Sequence, residues 1–187
     1  MSTPPDPRPL LGEPLAIDLL NTRWGGDPAP NDLFTRPHGL EIWLAGNDLT
    51  SRAQVDEATL VALLQARDAL AGAVVGSADP SSAGRLDAVL EHGRIRRTAA
   101  PDGPADTVEV DDPAWLPAWL AVDDYLSLLA QGPSRIRQCA HLSCVLHFFD
   151  TSQNGRRRWC SMAGCGNRAK ASRHYAQQHP GRRIAVA

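Results

Sequence analysis

What this sequence lacks narrows its function before anything it contains. It has no run of about 18 apolar residues, so no segment reads as a membrane-spanning helix. Its start, MSTPPDPRPLLGEP, places no basic cluster ahead of an apolar stretch, which argues against a secretory signal. It carries no Gly-rich phosphate loop, no nucleophile elbow and no His-x-x-x-His pair, so the common signatures of enzymatic chemistry are missing. Cysteine is scarce, at four residues in 187. Four thiols in an unexported chain suit a metal site better than two disulfides, and the expected location is the cytoplasm. Internal repeats are absent, and only the proline-rich first fourteen residues are compositionally biased.

What is present divides in two. The net charge of −2 conceals a strong asymmetry. Residues 135–187 hold nine arginines and Lys170 against one acid, Asp150, for a net +9; residues 1–134 hold nine arginines against twenty acids, for −11. An acidic body joined to a basic tail points to an anionic partner for the tail. The boundaries follow: 1–134 as one domain and 135–187 as a basic module.

The first domain reads as mainly helical, and the chain as a whole as mainly α (α+β). Leu15–Leu20 is a short apolar run that fits a helix or a buried strand equally. A helix is expected from about Pro37, with Leu40, Trp43 and Leu44 inward. The clearest element runs from Asp56, its N-cap, to about Val75, with Leu60, Leu63, Leu64, Arg67, Leu70 and Val74 on one stripe and Gly76 as its stop. Ser82–His92 is a second helix. Residues 94–111 read as a short hairpin turning within 99–104. A further helix opens between Pro113 and Pro117, its stripe formed by Trp115, Trp119, Val122, Leu126 and Leu129.

The cysteines carry the chemistry. Cys139-x4-Cys144 and Cys160-x4-Cys165 are two matched pairs fifteen residues apart, a pattern suited to one tetrahedral four-thiolate Zn²⁺ site. An iron–sulfur cluster fits the basic surroundings less well, and His141, His147 and His174 are alternative ligands only if a cysteine is displaced. Between the pairs, Val145–Asp150 reads as a strand, Thr151–Gly155 as a turn, and Arg156–Trp159 as the returning strand. Phe148, Phe149 and Trp159 then form a small core for the module. A segment this short depends on its metal for folding free energy.

Cys165-Gly166-Asn167-Arg168 spells the tetrapeptide of the CGNR zinc finger, and Phe149-Asp150-Thr151-Ser152, Arg157-Arg158-Trp159-Cys160-Ser161-Met162 and Arg168-Ala169-Lys170 fit around it. Leu15-Ala16-Ile17-Asp18-Leu19-Leu20-Asn21-Thr22, Trp43-Leu44 and Arg67-Asp68-Ala69-Leu70 resemble the ABATE-type domain that accompanies this finger. The resemblance covers nearly the whole chain and implies a stress-induced transcription regulator. His147 departs from it, standing where an apolar residue is expected.

A helix should begin near Cys165. On its wheel Lys170, Arg173, His174 and Gln177 share one arc, facing solvent and suited to phosphates or base edges. Arg168 falls elsewhere and is expected to pack back on the hairpin, paired with Asp150. Asn167 sits at the helix start, either as a cap or as a ligand contact. Arg156, Arg157 and Arg158 form a second basic cluster, with Arg156 and Arg158 on one face if the segment is extended. In the first domain Asp18, Asn21 and Arg67 are polar groups in apolar patterns. They read as an internal tie, with Asp18 the expected partner of Arg67, or as a ligand pocket.

The expected function is that of a zinc-dependent, non-enzymatic DNA-binding regulator with one structural Zn²⁺. DNA is favoured over RNA, no membrane is involved, and the first domain would dimerise or sense a small-molecule effector. The alternatives are a protein- or RNA-interaction module and a ligand-binding enzyme using the first domain.

Overall fold

The computed structural model describes residues 4–25, 30–75, 80–101 and 103–178, with the side chains of Pro80, Arg173 and Ala176 outside that set. Gly76 and the Arg182-Arg183 pair also lie outside the described residues. Among the described residues the regular structure comprises six α-helices and three two-stranded antiparallel sheets, with short 3-10 turns between them.

Leu15–Leu20 is a helix, α1, and Ala16, Ile17, Asp18, Leu19 and Leu20 in it are all buried. A run buried on every side carries no periodicity, which is why the sequence left its type open. The short strands β1 (Arg23–Trp24) and β2 (Asn31–Asp32) follow, and the Asp32 carboxylate then caps a 3-10 turn over Leu33–Thr35 by accepting from the Phe34 N–H. Helix α2 (Gly39–Gly46) begins two residues later than expected. Gly39 is required there, because a Cβ would lie 1.9 Å from the Leu33 carbonyl oxygen.

Helix α3 (Glu57–Val75) is capped by Asp56, whose carboxylate accepts from the Thr59 N–H at 2.8 Å. It packs against α1, α4 (Pro80–Leu90) and α5 (Leu116–Gln131), so this long apolar helix is the centre of the bundle. The α5 stripe differs from expectation: Ala118, Trp119, Ala121, Val122, Tyr125 and Leu128 are buried, whereas Leu126 is 41% exposed. Tyr125 rather than Leu126 turns inward, in phase with Ala118, Ala121 and Val122.

The hairpin is β3 (Gly93–Ala100) paired with β4 (Gly103–Val110), and pairing continues to Ala100 and Gly103, closing a tighter turn than expected. In the basic module β5 (Ile136–Gln138) pairs with β6 (His147–Phe149), and α6 (Asn167–Gln178) ends the described chain.

Two expectations for the module need correction. Arg156–Trp159 is not the partner strand of β6. Its backbone is held by Ala140, whose N–H donates to the Arg158 carbonyl at 2.8 Å, and by side chains: Arg137 Nη1 donates to the carbonyls of Gly155 and Arg157, and Asp150 accepts from the Arg157 N–H. Nor do the aromatics form a separate small core. Phe148 and Phe149 are buried in one continuous cluster with Ile17, Leu63 and Val122 of the helical bundle.

Candidate metal centre and nucleic-acid face

Each sulfur arrives on a different piece of backbone. Cys139 follows β5, Cys144 closes a turn in which its N–H donates to the His141 carbonyl, and Cys160 follows the irregular Arg156–Trp159 stretch. Cys165 sits in a wide turn over Met162–Gly166, capped by Ser161 Oγ accepting from the Gly164 N–H. The four sulfurs lie within 4.8 Å of one another, with Cys144–Cys160 at 3.8 Å and Cys160–Cys165 at 3.6 Å. Tetrahedral Zn–S bonds of about 2.3 Å require S–S edges of about 3.8 Å. The site therefore fits one structural Zn²⁺ held by four thiolates, as the spacing implied, and all four cysteines are free of disulfides.

The thiols also show why a cation belongs there. A hydrogen bond from Cys160 holds the Cys144 thiol down at about 5, while that same bond, with burial, pushes Cys160 up. Burial likewise raises Cys165. Four sulfurs this close repel one another once deprotonated, and a divalent cation among them relieves that repulsion. Arg168 Nη2 donates to Cys165 Sγ at 3.1 Å, adding positive charge beside the thiolates.

Arg168 thus has a structural contact, but not the expected one. Asp150 is fully buried and accepts from Ser152 N and Oγ, Arg157 N and Arg137 Nη1. Burial alone would raise its carboxyl, but these hydrogen bonds outweigh it and hold Asp150 below the ordinary carboxylate range. Arg137 takes the place foreseen for Arg168 because β5 runs beside β6 and delivers it there. Asn167 does not cap free N–H groups; its amide donates to the Ala163 carbonyl, and Ser161 does the capping.

The three consecutive arginines separate. Arg157 is half-buried: it donates to the Trp159 and Cys160 carbonyls, pairs with Glu13 at 3.1 Å, and lies 4.3 Å over the Phe148 ring. Arg156 and Arg158 are exposed, and the segment that carries them is not a strand. Lys170, His174 and Gln177 are exposed on α6, with His174 facing Gln178 at 2.9 Å. The Arg173 side chain lies outside the described residues.

The first-domain polar residues are engaged internally. Arg67 pairs with Asp32, Nη1 and Nη2 each at 2.8 Å, and also reaches Thr22 Oγ1. Asp18, the expected partner, is taken by Arg8 at 2.8 Å from the proline-rich start. Asn21 binds the backbone of His147 through both atoms of its amide. Asn21 stands out in the sequence as a polar group in an apolar run, but its partner at His147, and the ties made by Glu13 and Arg8, follow no periodicity.

A search of curated proteins finds no sequence match to the chain. Two family models match. The CGNR zinc finger covers residues 135–178, including all four cysteines. The ABATE model, described as "Putative stress-induced transcription regulator", covers residues 13–132. The chain therefore belongs to the ABATE family and carries a CGNR zinc finger at its C-terminal side.

Proposed function

We propose that this protein is a cytoplasmic transcription regulator that binds DNA through its zinc finger, and that it is not an enzyme. The observation that supports this reading most is where the unpaired cations lie. In the helical domain six of the nine arginines have acidic partners: Arg8 pairs with Asp6 and Asp18, Arg67 and Arg23 with Asp32, Arg94 and Arg96 with Glu109, and Arg97 with Asp106. Around the zinc centre Arg156, Arg158 and Lys170 are exposed and make no ion pair among the described residues. Free cations concentrated on the zinc finger, whose only acid is the buried Asp150, are the electrostatic footprint of a polyanion partner.

The metal's role in this reading is structural. Four thiolates fill a tetrahedral shell and leave no position for substrate or water. Homodimerisation or effector sensing by the helical domain belongs to the same proposal, with the finger held against that domain by Asn21 and Glu13.

The test is a salt titration of duplex DNA binding by the zinc-loaded chain. Neutralising about three phosphates predicts a loss on the order of 50-fold between about 50 and 200 mM salt. Chelation should abolish binding. Salt-independent affinity, or stronger binding to an acidic peptide than to DNA, would reject the reading.

A further inference from the structure

We propose that the finger takes up single-stranded DNA, seating one unpaired base in a groove beside Trp159 and its phosphate in the arginine cleft on the other side of that ring. This rests on the DNA-binding reading above and adds the form of DNA recognised.

Two depressions meet at Trp159. The first, about 420 Å³, runs between the Cys139–Cys144 turn and α6, lined by His141, Leu142, Trp159, Ala169 and Ser172 among others. The second, about 580 Å³, is lined by Arg156, Arg157, Arg158, Ser152 and Ser161, and it also includes Trp159. Arg158 and Trp159 line both, with the guanidinium 5.2 Å over the indole ring. Neither depression has an Asp or Glu in its lining. A mostly apolar slot beside a cationic one matches a ligand with a flat apolar face joined to an anion, and a nucleotide has that form.

The lip adds a second observation. Leu142 is fully exposed at the turn between two zinc ligands, on the rim of the first depression. Apolar side chains so placed on nucleic-acid-binding proteins enter between bases and unstack them. A duplex keeps its base faces stacked inward, so only an unpaired base reaches a groove behind such a lip.

The experiment measures fluorescence anisotropy of the zinc-loaded full chain with oligothymidine of about 12 nucleotides, the same strand made abasic, a mixed-sequence duplex, and oligouridine. Intact oligothymidine should bind about tenfold tighter than the abasic strand, since stacking one base on an aromatic ring supplies that much. Ser172→Phe, which fills the groove from the exposed face of α6, should erase this difference and leave abasic-strand binding unchanged. Trp159→Leu should act in the same direction, but Trp159 also packs near Gly166, so Ser172→Phe is the decisive variant. Equal binding of intact and abasic strands, or a Ser172→Phe protein that still discriminates, overturns the proposal. Oligouridine binding more than tenfold tighter overturns the choice of DNA. Binding to neither strand nor duplex removes the DNA-binding reading itself, whereas base-independent duplex binding removes only this inference.

Discussion

Asn21 and His147, 126 positions apart, are joined by two 2.9 Å hydrogen bonds, the amide nitrogen donating to the His147 carbonyl and the amide oxygen accepting from its N–H. One side chain thus completes the outer edge of β6 and ties the finger to the helical bundle. Asn21→Ala leaves both backbone groups without partners, at a cost of about 2 kcal/mol. Urea denaturation should show this loss with zinc still bound.

Removing the metal should affect more than the finger. Phe148, Phe149, Cys139 and Cys160 share the bundle's continuous core, so chelation should lower the thermal midpoint of the whole chain. Metal analysis should give one zinc per chain, and Cys160→Ser should lose it. A chelated protein that melts unchanged would contradict the shared core.

Arg168 supports the thiolate of Cys165, so Arg168→Ala should weaken zinc affinity about 10- to 100-fold, read by competition with a chromophoric chelator. If the variant kept its zinc affinity and lost only DNA binding, the structural assignment would fail.

Asp32 joins Arg67 and Arg23. Burial pushes its carboxyl up, but the hydrogen bonds from both arginines prevail and hold it below the ordinary value. A depressed native value means stability that is full above the unfolded pKa of about 3.9 and is lost as pH falls through the folded one. Asp32→Asn should therefore destabilise the protein more at pH 7 than near pH 3. Urea titrations at the two pH values give the comparison.

Gly39 has no room for a methyl group, because the obstacle is the backbone at Leu33 and cannot rotate away. Gly39→Ala should cost at least about 3 kcal/mol, measured by denaturant unfolding. Gly84, with nothing within 4 Å of a built Cβ, should accept alanine without loss and serves as the control.

The sequence by itself determined what is local or chemically singular. Period and capping marked α3 through Asp56 and its apolar stripe, prolines marked the opening of α5, and the thiol spacing marked the zinc site, because no other arrangement serves four such cysteines so well. Only the tertiary structure decided the pairings. Arg67 pairs with Asp32 while Asp18 pairs with Arg8, and Asp150 meets Arg137 because β5, not the Arg156–Trp159 segment, lies beside β6. A buried charge must find a partner, but which one depends on distances between segments that are remote in sequence, and those exist only once the chain has packed.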